Sequence, residues 1–161
     1  MIRIFTTGSA KALEEAARLF KEYADSLEIS LDFQNFDEEL AALPGCYAPP
    51  EGCILLATWQ GQIAGCVALR KLEDGVCEMK RLYTRPAFRG KKIGVALAEA
   101  VIEEARRLGY QRMRLDTLKS MVQARTLYKS LGFYEIAAYC YNPFEDAVFM
   151  ELKLSSGQTV S

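Results

Sequence analysis

The 161-residue chain contains no histidine, and this absence excludes several familiar kinds of active site. A Ser-His-Asp or Cys-His arrangement cannot form without the imidazole base. Catalytic metals held by histidine are excluded for the same reason. Any proton transfer in an active site therefore falls to Glu, Asp, Tyr, Lys, Cys or water.

Cysteine is scarce in any pattern that would bind metal or form disulfides. The five cysteines are odd in number, and no two of them form a CxxC pair. Without histidine, this spacing predicts neither a structural metal site nor a disulfide framework. Buried free thiols in a reducing compartment are the expected alternative, so we predict a cytoplasmic protein.

Long apolar runs are missing as well. No stretch approaches the roughly 20 apolar residues that a membrane-spanning helix needs. The first residues, Met1 to Phe5, alternate in the manner of a strand and lack the apolar run of a signal peptide. The net charge is −1 and the basic residues are local. We therefore expect neither a membrane nor a nucleic acid as a partner.

The composition indicates one folded domain. Half of the residues are hydrophobic and 25% are charged, which is enough to build a core in a chain of this size. No repeat or linker interrupts the pattern. We expect a single domain over residues 1–154, followed by a flexible polar tail over residues 155–161.

Hydrophobic periodicity predicts an α/β domain of the α+β type with a mixed sheet. The predicted order of elements is β-α-α-β-β-β-α-β-α-β-β. Strands are predicted over residues 2–6, 53–59, 63–71, 76–84, 112–117, 133–141 and 147–154. Helices are predicted over residues 9–27, 37–43, 93–108 and 120–132, the last of which starts with a capping box formed by Ser120 and Gln123.

A basic, glycine-bearing loop stands between a predicted strand and a predicted helix. The strand stops at Pro86, and the helix starts near Ile93. The first turn of a helix has unpaired N–H groups and a positive partial charge, and glycines allow an anion to reach them. The loop therefore suits a phosphate or pyrophosphate, although a solvated basic loop is an equal alternative from these residues alone. Its cations are Arg85, Arg89, Lys91 and Lys92.

Acidic residues dominate the stretch from Glu22 to Leu69, which contains no Lys or Arg. One interpretation is an acidic rim that faces a cationic substrate. The other is that the acids solvate the outer faces of amphipathic helices. The acids are Glu22, Asp25, Glu28, Asp32, Asp37, Glu38, Glu39 and Glu51.

Two motifs resemble the acyl-CoA-binding sequences of the GNAT N-acetyltransferases. The first is Leu82-Tyr83-Thr84-Arg85-Pro86-x-x-Arg89-Gly90-Lys91-x-Ile93-Gly94, and the second is Ala124-x-x-Leu127-Tyr128-x-x-x-Gly132-Phe133. With the matching order of elements, the resemblance extends over nearly the whole chain. It implies the GNAT fold and an enzyme without a metal cofactor. Such an enzyme moves the acetyl group of acetyl-CoA to a primary amine by direct attack in a ternary complex.

The resemblance also implies a cofactor site. In GNAT enzymes the strand before the glycine loop splays from its neighbour at a bulge, and its exposed backbone pairs with the pantetheine amides. Backbone N–H groups of the loop hold the pyrophosphate, and lysine side chains add charge there. The residues implied are Leu82, Tyr83, Thr84, Arg89, Gly90, Lys91, Lys92, Ile93, Gly94 and Val95.

Two residues depart from the family pattern. Lys92 stands where the family usually has glycine. A backbone N–H survives this change, but a positive φ at this position would be costly. Met121 stands where many relatives have asparagine, which removes a polar group near the thiol.

Tyr128 matches the position of the tyrosine that protonates the departing thiolate in relatives. Its ordinary pKa of about 10 suits that role. From spacing alone, core packing is the alternative for this side chain. A nucleophilic role for Cys77 is rejected, because a thiol within a strand usually fills the core and no histidine is present to activate it.

Glu78 is the candidate base, since it lies on the strand that leads to the cofactor site. An ion pair with Lys80 or Arg70 is an equally weighted alternative, and Asp116 is the second candidate for the base. Tyr139 and Asn142, together with Tyr141, occupy a late loop that borders the acceptor in relatives, so we expect them to contact the substrate.

The acceptor is the least defined part of the prediction. The acid-rich stretch favours a small amine or polyamine over an acidic acceptor. A protein N-terminus or a lysine side chain is the alternative acceptor, and a non-catalytic acetyl-CoA-binding module is the alternative function. A monomer or a homodimer is expected.

Overall fold

A computed structural model describes residues 1–27 and 35–154, which form a seven-stranded sheet with helices on both faces. The strands lie in the order β1-β2-β3-β4-β5-β7-β6. All neighbours are antiparallel except β4 and β5. The strands are β1 (Ile2–Thr6), β2 (Cys53–Trp59), β3 (Gln62–Glu73), β4 (Val76–Thr84), β5 (Arg112–Leu118), β6 (Tyr134–Ile136) and β7 (Ala147–Lys153).

Four helices cover the sheet, and each face of the sheet has its own core. Ser9 caps the first helix by accepting a hydrogen bond from the Ala12 N–H, as its position before the apolar repeat favours. One core lies under α1, with Phe20, Tyr47 and Leu56, and the other under α3, with Leu97 and Leu115. The helices are α1 (Ala10–Ser26), α2 (Phe36–Ala41), α3 (Ile93–Arg107) and α4 (Val122–Ser130).

The predicted order of elements and the mixed α/β class are confirmed, and several bounds agree to the residue, including those of β2 and β4. The predicted tail over residues 155–161 lies outside the described residues. None of the helices in the described ranges is long and apolar enough to cross a membrane.

The predicted capping box of Ser120 and Gln123 is wrong. Helix α4 starts one residue later than the box requires, with Met121 at the N-cap and no side-chain cap. A tight turn, in which the Met121 N–H donates to the Leu118 carbonyl at 3.0 Å, sets this start. The Thr117 hydroxyl lies 3.6 Å from the Met121 sulfur, so the side chain of Met121 points back toward the end of β5.

The predicted strand over residues 133–141 is also too long. Only Tyr134–Ile136 pairs with β7. After β6 the chain leaves the edge of the sheet, and the Tyr139 ring packs edge-on against Phe149 at 5.4 Å between ring centroids. An alternating pattern does not distinguish a paired strand from an extended segment that folds back over the sheet, and the prediction failed for that reason.

The cysteines only partly match the prediction of buried free thiols. All five are free, and Cys53, Cys66 and Cys77 are buried, but Cys46 and Cys140 are exposed. Burial raises the pKa of the Cys77 thiol to about 12, so this side chain stays protonated and is a poor nucleophile. This agrees with its rejection as a catalytic residue.

Candidate active site

The parallel strands β4 and β5 part in the middle of the sheet, and this opening organises the site. They pair only from Val76–Glu78 to Arg112–Arg114. Beyond Glu78, Arg81 adopts a left-handed conformation with φ of 62°, and the register between β3 and β4 shifts beside it. A left-handed residue in a strand marks a bulge. The splayed strand that the family resemblance implied is therefore present.

Three adjacent pockets, which share lining residues, lie at this opening. The central cleft, about 50 Å³, lies between the parted strands and is lined by Leu82, Asp116 and Tyr128 among others. The loop groove, about 690 Å³, runs from the end of β4 along the start of α3. The α2 pocket, about 510 Å³, lies on the other side of the cleft, against α2 and the loop at residues 140–141.

The loop groove contains the predicted phosphate-binding segment. The first intrahelical bond of α3 joins the Ala96 N–H to the Lys92 carbonyl at 3.1 Å, and Lys92 supplies no side-chain cap. By helix geometry, the N–H groups of Ile93–Val95 precede that bond and point out of the helix end. The groove wall includes Gly90, Gly94 and Arg89. This end of the groove can therefore accept an anion.

The basic side chains of the loop do not all face the groove. Arg89 and Lys92 line it. The guanidinium of Arg85 instead binds both carboxylate oxygens of Glu22, at 3.0 and 2.8 Å. The ammonium of Lys91 lies 5.0 Å from the centre of the Trp59 ring. The prediction that the Lys91 side chain adds charge at the phosphates is therefore corrected, and only its backbone N–H remains suited to that role.

Lys92 has the strained backbone that the sequence comparison suggested. It occupies the N-cap position of α3 with φ of 63° and ψ of 26°, in the left-handed region. The side chain is exposed, so packing does not offset the strain. A conformation that favours glycine is thus kept by a lysine at the mouth of the loop groove.

Tyr128 is both buried and part of the cleft wall. Its ring packs against Phe133 at 5.7 Å between centroids, which satisfies the core-packing interpretation. Its hydroxyl makes no hydrogen bond with any described residue, and the side chain borders the central cleft. Burial, with smaller contributions from Tyr23 and Asp116, raises the pKa of Tyr128 well above that of a free tyrosine. The phenol therefore stays protonated and has a proton to donate.

Glu78 is almost fully buried and has both of its carboxylate oxygens engaged. One oxygen accepts from Arg70 Nε at 2.7 Å, and the other accepts from the Tyr139 hydroxyl at 2.6 Å. Burial acts to raise the pKa of Glu78, but the charges of Lys80 and Arg70 and the Tyr139 hydrogen bond outweigh it and lower the pKa. The ion-pair interpretation is thus observed for Arg70, and Glu78 is a stable anion.

Asp116 and Asn142 face the reactive region more directly. Asp116 lines both the central cleft and the α2 pocket. One of its oxygens accepts from Asn142 Nδ2 at 3.2 Å, and the other has no hydrogen-bond partner among the described residues. Asn142 borders the cleft, and its contact with the substrate stays a prediction. Tyr139, in contrast, lines neither hollow and serves to hold Glu78.

Three of the six described acids in the acidic stretch are paired with basic residues within the fold. The Glu39 carboxylate accepts two hydrogen bonds from the buried Arg81, at 2.9 and 2.8 Å, and Glu22 is engaged by Arg85 in the same way. Glu51 pairs with Lys71 at 3.2 Å. Glu28 and Asp32 lie outside the described residues. Glu22 and Glu39 therefore tie helices α1 and α2 to β4 and the loop after it, whereas Asp25, Asp37 and Glu38 make no ion pair with any described residue.

Sequence patterns missed several residues that shape the site. Tyr23, on helix α1, lines both the cleft and the loop groove. Arg70 and Lys80 line the α2 pocket from β3 and β4, and Arg81 forms the bulge. The uninterrupted run of acids was the available signal for Arg81 and Arg85, because so many carboxylates on helices next to a sheet require basic partners.

Together, the splayed strand pair, the uncapped helix end and the hollows on both sides define the class of acyl-CoA-dependent acyltransferases. The model of the acetyltransferase (GNAT) family matches residues 12–133. The chain belongs to this family, and the predicted kind of enzyme, an N-acetyltransferase, is confirmed at that level.

Relatives with curated names agree. An N-acetyltransferase of Schizosaccharomyces pombe is 43% identical over 145 residues, which cover 89% of each chain. The N-acetylaspartate synthetase of Danio rerio is 37% identical over 100 residues, which cover 61% of this chain and 36% of that protein.

Solved structures show the same fold. A GNAT-family acetyltransferase from Staphylococcus aureus superposes with a TM-score of 0.77 at 22% identity, covering 96% of this chain and 100% of that one. A Bacillus subtilis acetyltransferase in complex with CoA gives a TM-score of 0.68 at 22% identity, covering 95% of this chain and 99% of that one.

Proposed function

We propose that the protein transfers the acetyl group of acetyl-CoA to the primary amine of a small molecule, by direct attack with both substrates bound. The observation that carries this proposal is that the three pockets are adjacent and share lining residues. The loop groove leads to the cleft that holds Tyr128, and the α2 pocket reaches the same cleft from the other side. Holding nucleophile and thioester in one cleft supplies much of the acceleration in such a reaction.

The loop groove holds acetyl-CoA in this proposal. The backbone of Leu82–Thr84 borders the groove and is released from pairing with β5, so it can hydrogen-bond the pantetheine arm. The N–H groups of Ile93–Val95, with the charges of Arg89 and Lys92, receive the pyrophosphate. The B. subtilis acetyltransferase of the same fold forms a complex with CoA, which supports CoA as the ligand of this fold.

Tyr128 serves as the general acid. Its hydroxyl borders the cleft, and burial keeps it protonated. A phenol placed there can give its proton to the leaving sulfur as the thiolate forms. A backbone N–H near Leu82 is placed to stabilise the oxyanion at the reacting carbonyl.

Asp116 is better suited than Glu78 to accept the proton of the incoming ammonium. The Glu78 carboxylate is fully engaged by Arg70 and Tyr139, and its lowered pKa makes it a weak base. Asp116 keeps one oxygen without a partner among the described residues, at the junction of cleft and α2 pocket. Glu78 then acts as a positioning residue, which fixes Arg70 and the loop that carries Tyr139.

A small acceptor is favoured over a protein. The relative from D. rerio is an N-acetylaspartate synthetase, whose product is a small acetylated molecule, and its similarity covers 61% of this chain. The acceptor-side pocket of about 510 Å³ has the size of a small-molecule site. Cytoplasmic placement of the protein stays a prediction.

The test is release of coenzyme A from acetyl-CoA with a panel of small amines and one peptide, using wild type, Tyr128→Phe and Tyr134→Phe. Tyr134 is a matched control on the far strand β6, where it donates to Glu151. We expect Tyr128→Phe to lower turnover by roughly 10²–10⁴-fold and to leave acetyl-CoA affinity unchanged. Unchanged turnover in Tyr128→Phe removes the acid role. No release with any amine contradicts the transferase proposal, and release with the peptide alone contradicts a small-molecule acceptor.

A further inference from the structure

Four acids line the α2 pocket, and two of them are satisfied by partners within the protein, whereas the carboxylate of Glu38 and one oxygen of Asp116 have no hydrogen-bond partner among the described residues. Glu39 receives two hydrogen bonds from Arg81, and Glu78 receives one each from Arg70 and Tyr139. These carboxylates have little capacity left for a cationic ligand. The pocket is therefore less acidic in effect than its residue types suggest.

Two cations of the same pocket retain unused hydrogen-bond donors. Lys80 is half-buried on β4 and makes no ion pair within 4 Å in the described part of the chain, although its charge reaches Glu78. Arg70 commits Nε to Glu78, which leaves its two terminal nitrogens without a hydrogen-bond partner among the described residues. A half-buried ammonium without a close counter-ion favours an anionic ligand.

The positions of these groups determine how a ligand would be oriented in the pocket. Lys80 and Asp116 lie on the facing, parted strands β4 and β5, and both line the central cleft as well as the α2 pocket. Arg70 lines only the α2 pocket, farther from Tyr128. A carboxylate oxygen and an ammonium thus face the junction together, with a second cation behind them.

We propose that the acceptor is an amino acid, recognised as a zwitterion. Its amino group lies at Asp116, and its carboxylate lies at Lys80. Arg70 receives a second carboxylate when the side chain is acidic. This inference rests on the proposed function and narrows it, because a polyamine would place its second cation beside Lys80 and Arg70, which repel it.

The experiment compares kcat/KM for alanine, aspartate, alaninamide and putrescine, measured by coenzyme A release. Alaninamide keeps the amine of alanine and replaces the carboxylate by a neutral group. We expect alanine to exceed alaninamide by roughly 10-fold or more, the effect of one charge-assisted hydrogen bond, and aspartate to match or exceed alanine. Putrescine should be the poorest acceptor.

Variants assign the preference to Lys80. Lys80→Met should lower kcat/KM for alanine roughly 10- to 100-fold, mainly through KM, and change the value for alaninamide by less than about 3-fold. Lys80→Arg should restore most of the preference for alanine. Lys11→Met, an exposed lysine on the first turn of α1, is the matched control and should behave as wild type.

The outcomes separate the two claims. Equal or better use of alaninamide or putrescine by wild type overturns the amino acid assignment and leaves the transferase intact. A Lys80→Met variant that loses activity equally on alanine and alaninamide also overturns it, because the role of Lys80 is then structural. No coenzyme A release with any amine overturns the proposed function together with this inference.

Discussion

Substitution of Lys92 gives a direct test of the loop that precedes α3. Lys92 occupies the left-handed region with φ of 63°, and its side chain is exposed. Comparing Lys92→Gly with Lys92→Ala isolates the backbone, because both variants remove the charge and the long side chain. Only the alanine variant retains a Cβ atom in the unfavourable conformation.

The expected difference follows from two opposing terms. The left-handed conformation destabilises a residue with a Cβ atom by roughly 1–2 kcal/mol. Glycine destabilises the folded state by about 0.4–1 kcal/mol, because it has greater freedom in the unfolded chain. Lys92→Gly should therefore be more stable than Lys92→Ala by roughly 0.5–1 kcal/mol, which is a melting temperature about 1–4 °C higher for a chain of this size.

The assay is urea unfolding of both variants without acetyl-CoA, followed by circular dichroism, with thermal melting as a second measure. At an ordinary helical position the order reverses, because glycine is then less stable than alanine by about 0.5–1 kcal/mol. The sign of the difference therefore decides the question. A more stable alanine variant would refute the left-handed conformation at the start of α3.

Three further predictions concern the sheet beneath the site. Glu78→Gln should lower the free energy of unfolding by roughly 1–3 kcal/mol at pH 7. Because the pKa of Glu78 is lowered in the folded protein, its stabilising effect is present above the unfolded pKa and is lost as the pH falls through the folded pKa. An equal loss of stability at acidic and neutral pH would count against the ion pair with Arg70. Gly65→Ala should lower the free energy of unfolding by about 1–3 kcal/mol and weaken acetyl-CoA binding, because a Cβ atom there would lie 2.5 Å from the Tyr83 carbonyl oxygen. Gly8→Ala is the control: its Cβ atom would meet nothing within 4 Å, so stability in the same urea titration should not change. Asp116→Asn should lower turnover roughly 10²-fold or more at neutral pH without changing acetyl-CoA affinity. A wild-type rate for this variant in steady-state assays would show that Asp116 is not the base.

Local signals predicted much of this fold. The helix predicted over residues 9–27, the strands predicted over 53–59 and 63–71, and the strand that stops before Pro86 each depend on residues close in the chain, and each was found close to its predicted bounds. The anion-binding helix end was predicted for the same reason, since a glycine loop before a helix is a local feature. The positive φ of Lys92 followed from its glycine-like position.

Long-range pairing could not be predicted in this way. The partners Glu39 and Arg81 are 42 residues apart, and Glu78 and Tyr139 are 61 residues apart. Their contacts depend on how α2 and the loop after β6 fold onto the sheet, which no local periodicity encodes. Composition reports charge but not pairing, so the acidic stretch could not show that Glu22, Glu39 and Glu51 are each engaged by a basic residue.

The most direct test of the account is a calorimetric titration of acetyl-CoA into wild type, Gly94→Ala and Gly94→Glu. A Cβ atom at Gly94 would lie 3.6 Å from Thr84 Oγ1, an ordinary contact, so both variants should fold, and a glutamate in the first turn of α3 suits the helix dipole. The account predicts saturable binding by wild type and Gly94→Ala and loss of binding by Gly94→Glu, whose carboxylate occupies the anion site. Undiminished binding by folded Gly94→Glu, or no binding by wild type, would contradict an acetyl-CoA site at this loop.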